Sequence, residues 1–353
     1  MTSRSDGRRR PGRVPAGSGL LVAITAILAG LVLVQAQRPT GNPPPSGSPP
    51  PSGSPTASPT PRPTADPARV EVFEGDATGS TDVTAELQEF LESHDGGRVA
   101  LAERGVYLVT SVSFTAHDLT VDFRGAQLRG TQRGAHGIFV LRSSTNVVLN
   151  EPSIVGTGYA WEGGEANPDQ WEHAIEIDSG SDITINRPVT RDVRGDGIYV
   201  GFVAGENTPA TGVVINDPDL QRSSRNGIAP VAGEVTVIGG RIHDSGLHGV
   251  DFEPNNDEGA RSIVGVIRGV DIRRAGGLDV HGLRGYAIAG AGYSTATKPS
   301  LVIEDLTGDE LDILLYNTAS VVVRRNVSDL ETTARFFDVG AVDFADNTRI
   351  TRR

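Results

Sequence analysis

The chain has 353 residues, including 44 Gly, 22 Pro and no Cys, and its net charge is −12. The absence of Cys excludes disulfide bonds, thiolate metal sites and a lipoprotein-type cysteine anchor. Residues 1–68 hold seven Arg and two Asp, so the remaining 285 residues carry a net charge of −17, and Lys298 is the only lysine. This balance excludes binding to nucleic acid through a basic patch.

The first 37 residues have the charge pattern of a membrane-targeting segment. Residues 1–13 contain five Arg and one Asp, whereas residues 14–37 contain no charged side chain. The uncharged run can cross about 30 Å of hydrocarbon as a helix, and Val34-Gln35-Ala36 offers an acceptable cleavage site. Two outcomes stay open: a single-pass membrane anchor over 14–37 with a basic cytoplasmic region over 1–13, or a signal peptide that is removed. In both, the rest is exported, so we expect an extracellular domain that is tethered to the cell membrane or secreted.

Residues 38–69 consist largely of Pro, Ser, Thr and Gly, with almost nothing apolar to bury. This composition predicts a disordered linker that favours the extended polyproline II conformation. About thirty residues at ~3.1 Å each reach up to roughly 100 Å. We expect the linker to hold the following domain away from a membrane or through a cell wall.

The predicted domain, 70–347, begins with a helix followed by two strands. Leu87 and Leu91 are spaced so that they fall on one face of a short amphipathic helix. Alternating runs that are broken by Gly follow at 96–101 and 105–109, and they predict strands.

A six-residue unit then recurs: a polar residue, a small one, an aliphatic one, any residue, a second aliphatic one and any residue. Its copies begin at His136, His173, Asp196, Asn226, His248 and, more loosely, Gly276. Because side chains alternate across a strand, the aliphatic positions face a core and the intervening positions point outward. Intervals of 22 to 37 residues are typical of a stacked solenoid. We expect an interior column made of Ile138, Ile175, Ile198, Ile228 and Val250.

A second strand type lies between these copies and ends in Asn-x-Pro. Its copies are 148–152, 184–188 and 214–218, with a weaker one at 235–238. Two strand types in a constant order require a coil that returns to the same place in each turn. The sequence therefore predicts an all-β parallel solenoid over 70–347, followed by a short tail over 348–353.

The domain opens with Gly75-Asp76, Thr81-Asp82 and Thr84, followed by the predicted helix, Gly96-Gly97 and the run Gly105 to Val109. This opening resembles that of many members of the right-handed parallel β-helix superfamily, which includes pectate lyases, polygalacturonases, polyuronate epimerases and phage tailspikes. The resemblance implies a single-stranded right-handed parallel β-helix with three sheets, a helix that caps the N-terminal end of the core, and ligands held along an outer sheet or groove. The superfamily includes several activities and members with none. The paired-Asp motifs and the Arg-x-Lys signature of polygalacturonases are absent, and no motif places the catalytic base of pectate lyases.

Neighbouring coils stack about 4.8 Å apart, so outward positions of the unit form columns. The predicted inner column is Phe139, Glu176, Tyr199, Ala229, Asp251 and Asp279. The predicted outer column is Leu141, Asp178, Gly201, Val231, Glu253 and His281. Asp251 and Asp279 would lie roughly 5 Å apart in adjacent coils, where unpaired carboxylates raise each other's pKa. A cation, a proton or an arginine has to neutralise them.

These columns and the first residues of the unit contain the candidate catalytic residues. Paired carboxyl groups can supply the protonated acid and the ionised base or nucleophile of glycan cleavage, and a histidine can exchange protons near neutral pH. The predicted catalytic residues are Asp251, Glu253, Asp279, His248 and Asp196. The predicted substrate-binding residues are Tyr199, Arg225, His173, Glu176, Trp161, Trp171 and His281. A purely structural role stays open for Asp196 and His173, and a solvated acidic face stays open for the other carboxylates.

The acidic cluster also allows two predictions about a cofactor. Asp251, Glu253, Asn255 and Asp257 offer the hard oxygen ligands that Ca²⁺ prefers. They match no calcium-loop consensus, so the sequence predicts either no cofactor or a bound Ca²⁺. Arg225, in the turn before a neighbouring copy, is a competing way to neutralise the carboxylates.

The longest interval contains an insertion, 156–172, that carries both tryptophans of the chain. Trp161 and Trp171 can form a wall against which a sugar ring stacks, or they can pack on the coil below.

Two functions stay open: an enzyme that cleaves an extracellular polysaccharide or cell-wall glycan, and a non-catalytic glycan-binding or surface module. Hydrolysis of a neutral or amino-sugar polymer is favoured over β-elimination or epimerisation, because a domain with a charge of −17 repels a polyuronate. The sequence contains no feature from which an oligomeric state can be predicted.

Overall fold

The computed structural model describes residues 70–94, 96–134, 136–161, 168–203, 208–254, 263–280, 282–292 and 298–353. The predicted basic region 1–13, the predicted anchor or signal 14–37 and the predicted linker 38–69 lie outside the described residues. Within the described ranges, no helix is both long enough and apolar enough to cross a membrane.

Strands of the described chain pair in parallel from coil to coil and form an 11-stranded sheet, called sheet 1, and a 19-stranded sheet. The pairings of the larger sheet run in two series that are joined by the strand Val327–Phe337, and these series are called sheets 2 and 3. Sheet 1 contains Val70–Val72, Arg98–Ala100, Thr120–Asp122, Thr145–Asn150, Ser181–Asn186, Val213–Asn216, Gly233–Ile238, Ile263–Arg268, Ser300–Glu304, Ser320–Arg324 and Ala341–Ala345. Sheet 2 contains Thr78–Asp82, Val106–Val109, Gln127–Gly130, Ser153–Val155, Val189–Val193, Asp219–Ser223, Arg241–His243, Asp271–Arg273, Thr307–Gly308, the start of Val327–Phe337, and Thr348–Arg352. Sheet 3 contains Val112–Phe114, Phe139–Arg142, Ile175–Asp178, Ile198–Gly201, Ile228–Pro230, Val250–Phe252, Ile288–Ala291, Ile313–Tyr316 and the end of Val327–Phe337. The chain is thus an all-β parallel β-helix, as expected; the handedness of the coil stays a prediction.

Within the part of the chain that the structure describes, two short helices interrupt the strands. The α-helix Thr84–Glu92 buries Leu87 and Leu91 in the main hydrophobic core, which confirms the predicted apolar face. Its role as a cap stays a prediction. A 3₁₀-helix, Pro168–Trp171, precedes a sheet 3 strand. Residues 348–353, expected to be a tail, include a strand that pairs with Val327–Phe337.

The predicted second strand type forms the central strands of sheet 1, and its Asn residues are the last residues of these strands. The side-chain amide of Asn186 donates to Asn150 at 2.9 Å, and that of Asn216 donates to Asn186 at 2.9 Å. Asn150 in turn donates to Asp122 at 2.7 Å. This amide column ties four successive coils together, so the Asn-x-Pro series stabilises the solenoid.

The recurring unit forms sheet 3, and four of its copies pair as predicted. Ile175 pairs with Ile198, Ile198 with Ile228, and Ile228 with Val250. All four side chains are buried in the core. This part of the interior column is confirmed.

The first copy was predicted one residue out of register. Ile175 pairs with Phe139 rather than Ile138, so Val140 and Arg142 take the outward positions that were expected for Phe139 and Leu141. Ile138 and Phe139 are both buried, and the Phe139 ring lies 5.2 Å from that of Phe114 inside the coil. Because both residues are buried, the alternation pattern could not show which of the two pairs with Ile175.

The sixth copy was predicted at the wrong place. Val250 pairs with Ile288 and Asp251 pairs with Ala289, so the strand that follows Val250–Phe252 in sheet 3 is Ile288–Ala291 rather than a strand at 276–281. Residues 274–287 are instead a long connection from sheet 2. The Gly-rich start of this connection imitated the recurring unit.

The connections next to the middle strands of sheet 3 differ greatly in length. The long ones are 156–174 and 274–287 before sheet 3, and 202–212, 253–262 and 292–299 after it. By contrast, Ile175–Asp178 and Ile228–Pro230 are connected to sheet 1 by two residues each, Ser179-Gly180 and Val231-Ala232. Because loops on a rigid scaffold commonly carry binding residues, we expect a site at the middle of sheet 3.

Candidate functional site

The first residues of successive units form a hydrogen-bonded column at the entrance to sheet 3. The backbone N–H of Asp196 donates to His173 Nδ1 at 3.2 Å, and that of Asn226 donates to Asp196 Oδ1 at 2.9 Å. The N–H of His248 donates to Asn226 Oδ1 at 3.2 Å, and that of Tyr286 donates to His248 Nδ1 at 3.0 Å. Each side chain thus holds the next coil in register, and these residues have a structural role whatever else they do.

Arg225 is the buried cation of the site. Its Nη1 lies 3.1 Å from Asp196 Oδ2 and its Nη2 lies 3.4 Å from Glu253 Oε1, so it joins two coils that are not adjacent. Burial alone would raise the pKa of Asp196, but Arg225 and His173 outweigh it and hold that pKa below its ordinary value. Burial likewise disfavours the charge on Arg225, yet Asp196 and Glu253 raise its pKa above the ordinary range. At neutral pH, Asp196 is therefore ionised and Arg225 is cationic.

Asp251 and Glu253 form a hydrogen-bonded carboxyl pair. They lie two residues apart on one strand and its end, so both side chains point away from the core. Burial raises the pKa of Asp251 well above its ordinary value, and the charge of Glu253 and the hydrogen bond to it raise it further. The pair therefore favours a proton on Asp251, while Arg225 contacts Glu253 at 3.4 Å.

His248 is neutral at the base of this pair. Burial, and then the charge of Arg225, lower the pKa of His248 to about 3. Because Nδ1 accepts the N–H of Tyr286, the ring proton lies on Nε2, which is 3.6 Å from Asp251 Oδ2. In this state His248 has no ring nitrogen left to act as a base.

A second group of polar residues lies toward the N-terminal coils. The His173 ring stacks on Tyr199 with centroids 4.6 Å apart, and Glu176 accepts the N–H of Gly137 at 3.0 Å. Glu176 and Asp251 belong to the same outward column but are separated by Tyr199 and Ala229. Three coil spacings amount to about 14 Å, so Glu176 and Asp251 cannot act on the same glycosidic bond.

Asp279 lies apart from this cluster, contrary to the predicted pairing. It is exposed and accepts the N–H of Gly282 at 2.7 Å in the connection before sheet 3. The residue next to Asp251 in the adjacent coil is Ala289. The predicted Asp251–Asp279 pair is therefore wrong, and Glu253 is the carboxyl group that contacts Asp251.

The predicted calcium ligands are described only in part. Asn255 and Asp257 lie outside the described residues, as does the predicted binding residue His281. Among the residues that the structure describes, no group of three or more His, Cys, Asp or Glu side chains could hold a metal ion. The raised pKa of Asp251 favours a proton there, and Arg225 pairs with Glu253; these are the two other means of neutralisation considered above.

The insertion after Val155 packs along the coils. Gly158 donates its N–H to Asp192 O at 2.9 Å, Ala160 donates to Ser224 Oγ at 3.0 Å, and the guanidinium of Arg222 lies 5.3 Å from the centre of the Tyr159 ring. Trp161 and Trp171 are half-buried, and the Trp171 ring meets the edge of His173 at 6.3 Å. Trp171 is thus beside the polar column, and sugar stacking on either tryptophan stays a prediction.

Two residues of this region escaped the sequence analysis. Tyr286 is buried and its ring lies 5.7 Å from that of His248. The small-aliphatic pattern of Ala287-Ile288 was the signal that could have placed it in the column. Glu172 is fully buried and accepts two hydrogen bonds from Thr157, at 2.8 and 2.6 Å, which fixes the start of the insertion; a single glutamate in an insertion gave no signal.

No protein-family model and no curated protein matches the chain. The chain is similar to the surface adhesin PfbA of Streptococcus pneumoniae, at 11% identity over 80% of this chain and 92% of that chain, with a TM-score of 0.44. It is similar to the tailspike gp49 of Acinetobacter baumannii bacteriophage Fri1, a capsular polysaccharide depolymerase, at 13% identity over 79% and 57%, with a TM-score of 0.42. It is also similar to the A-module of the Azotobacter vinelandii mannuronan C-5 epimerase AlgE4, at 12% identity over 78% and 96%, with a TM-score of 0.33. At these scores the fold assignment rests on the strand pairings of this chain itself.

Proposed function

We propose that the chain is an extracellular enzyme that hydrolyses a neutral or amino-sugar polysaccharide along the outward face of sheet 3. The observation that supports this is the hydrogen-bonded pair of Asp251 and Glu253, with a raised pKa on Asp251. A carboxyl group with a raised pKa is the acid that glycoside cleavage requires. A passive solenoid has no need for it.

In this proposal, Asp251 protonates the glycosidic oxygen while the bond between that oxygen and the anomeric carbon breaks. Water adds to the anomeric carbon, and the proton that it releases returns to the carboxyl pair, so the pair ends in its starting state. Between these two steps the pair is more negative, and Arg225, at 3.4 Å from Glu253, stabilises the added charge. Two carboxyl groups that flank a scissile bond are about 5–5.5 Å apart in retaining enzymes and about 6.5–9.5 Å apart in inverting ones. Asp251 and Glu253 instead lie two residues apart along one strand and its end, so they act from one side of the sugar chain as a single acid.

The same contacts disfavour β-elimination. Elimination needs a base near the α-proton and a group that neutralises the substrate carboxylate. His248 was considered as the base, but it carries its proton on Nε2 and accepts a backbone N–H at Nδ1. Arg225, considered for the carboxylate, is buried between Asp196 and Glu253. Hydrolysis therefore has the stronger support.

The test is release of reducing ends from a panel of neutral, amino-sugar and uronate polysaccharides, with ultraviolet detection of the unsaturated ends that elimination would leave. We expect reducing ends without unsaturation from at least one neutral or amino-sugar polymer. Asp251→Asn should lower the rate by about 10²–10⁴-fold, the typical contribution of a general acid. Asp279→Asn is the matched control and should keep the wild-type rate.

A glycan-binding module is the second candidate, and the hydrogen-bonded column of His173, Asp196, Asn226 and His248 favours it, because these residues already have a structural role. The wild-type protein could release no reducing ends from any polysaccharide and still be retained in a gel that contains one of these polysaccharides. In that case this second function replaces hydrolysis. Asp251→Asn would then be retained like wild type.

We also propose that the domain lies outside the cytoplasmic membrane, because the arginines of 1–13 and the uncharged run 14–37 have the order of an export signal or anchor. Protease added to intact cells should release a fragment that begins within 38–69 if the segment is an anchor. If the segment is cleaved, the domain should be found in the medium. A domain that stays protected inside the cell would contradict both.

A further inference from the structure

A cleft, here called the Tyr286 cleft, is lined by residues of 274–276 and 283–287, by Asp309, Glu310 and Asp312, and by Leu330, and its volume is about 360 Å³. Small-molecule sites typically measure roughly 300–1,000 Å³. Tyr286 lines this cleft and also donates its N–H to His248, whose Nε2 lies 3.6 Å from Asp251 Oδ2, so two residues link the cleft to the carboxyl pair.

An exposed leucine stands at the cleft. Leu330 is 58% exposed, more than any other large hydrophobic side chain among the described residues. Its position is fixed, since its N–H donates to Asp309 O at 3.0 Å. Leu283 also lines the cleft. Exposed apolar side chains at a concave surface commonly mark a ligand site, and the C–H face of a sugar ring is a suitable partner.

The polar groups of the cleft are fixed by ion pairs. Arg284 pairs with Asp312 and lies 3.6 Å from Glu310, and its guanidinium is 5.6 Å from the centre of the Tyr286 ring. Guanidinium donors and carboxylate acceptors therefore lie side by side in set positions. Vicinal hydroxyl groups both donate and accept hydrogen bonds, so they match this arrangement.

The charges of the cleft select against an acidic ligand. Asp309, Glu310 and Asp312 outnumber Arg274 and Arg284. Both guanidinium groups are already engaged, because Arg274 pairs with Asp244 and Arg284 with the two carboxylates named above. A sugar that carries a carboxylate would meet repulsion without a cation to bind it.

We propose that the Tyr286 cleft is a subsite that binds a neutral sugar unit of the polymer whose glycosidic bond reaches Asp251. The inference rests on the proposed function and extends it in two ways. It narrows the class to a neutral sugar, and it places the polymer from Asp251 across the turns between sheets 2 and 3 in the coils that follow.

The test compares Leu330→Ala and Glu310→Gln with wild type by affinity electrophoresis on the neutral polysaccharides of the cleavage panel. Leu330→Ala should be retained roughly tenfold more weakly, the order of magnitude expected for losing one leucine contact. Glu310→Gln, which keeps the shape of an exposed side chain, should also be retained more weakly. Val327→Ala is the matched control, because Val327 is an exposed apolar residue of the same strand that does not line the cleft.

The outcomes separate the two proposals. Equal retention of Leu330→Ala and wild type would overturn the subsite, as would an equal loss in Val327→Ala. The hydrolase would still stand if Asp251→Asn had lost cleavage. If wild type neither cleaves nor is retained by any neutral polymer, both proposals fall. A melting temperature equal to that of wild type verifies that each variant is folded.

Discussion

Neighbouring groups shift the pKa values of two buried aspartates of the site in opposite directions. Asp196 is fully buried, yet Arg225 lowers its pKa; Asp251 is almost as buried, and its partner is another carboxyl group, so its pKa is raised. Burial penalises both charges, and the sign of the neighbouring charge decides the outcome. The sequence offered a cation, a proton or an arginine as alternatives. It could not assign them, because Arg225 and its two partners come from different coils.

The protonation of Asp251 predicts a pH effect on stability. Because its pKa is raised on folding, the folded protein binds more protons than the unfolded chain between the ordinary pKa, about 4, and the raised one. This part of the stability is full below the ordinary pKa and is lost as the pH rises through that window. We therefore expect Asp251→Asn to gain stability relative to wild type as the pH increases, measured as melting temperatures from about pH 4 to pH 8. Asp279→Asn, at an exposed position, should show a constant difference from wild type, and a constant difference for Asp251→Asn would contradict the assignment.

Removal of the buried cation should be costly. Arg225→Met leaves Asp196 buried without its charge partner, and breaking a buried pair in this way costs about 3–5 kcal/mol. Arg187→Met breaks a pair with Glu151 of 2.7 Å whose side chains are 61% and 48% exposed, so it should cost at most about 1 kcal/mol. Urea unfolding of the two variants measures both losses. Similar losses would mean that the Arg225 pair is as weak as a surface pair.

At the level of strands, periodicity predicted the type of fold and most of sheet 3. Ile175, Ile198, Ile228 and Val250 stack as expected, because each is the single aliphatic residue that follows a small one at the start of its strand. The pattern failed where two adjacent residues are both buried, as at Ile138, and where a long connection imitated the unit, as at 276–281. Register errors of this kind change which residues share an outward column. They account for the wrong prediction of Asp279 as a partner of Asp251.

The interior column can be tested directly. Ile198 is fully buried between Ile175 and Ile228, so Ile198→Asp places a charge in the core without a partner. A loss of several kcal/mol is comparable to the whole stability of a typical domain, about 5–15 kcal/mol, and should unfold it. Val264→Asp is the control, since Val264 is 46% exposed on sheet 1 and should change the stability by no more than about 0.5 kcal/mol. Far-ultraviolet circular dichroism and the melting temperature distinguish the two; a folded Ile198→Asp variant would show that the assigned register is wrong.

For the whole molecule, charge and shape together select the class of polymer. A solenoid offers a long side to an extended ligand, and the carboxyl pair lies in the middle coils of sheet 3. The net charge of −17 after residue 68 gives the domain a negative electrostatic field. Arg225, the buried arginine of the site, is already paired with Asp196 and Glu253. A polyanion is thus repelled at long range and finds no free cation at the carboxyl pair. A neutral polymer meets neither obstacle.

The long-range repulsion predicts how binding depends on salt. Exposed charges are screened over about 30 Å at 0.01 M and about 3 Å at 1 M ionic strength, so salt removes the repulsion of a polyanion but hardly affects a neutral ligand. Retention by a neutral polysaccharide in affinity electrophoresis should therefore change less than about twofold between these two conditions. Polygalacturonate should not retain the protein at low salt, and any weak retention should strengthen as salt is added. The opposite result would be tight binding of polygalacturonate at low salt that weakens as salt is added. It would indicate a positively charged groove outside the described residues, because the cleft and the carboxyl pair within the described residues are acidic. In that case the substrate would be a uronate polymer, and the site would have to be sought beside the long connections rather than at Asp251.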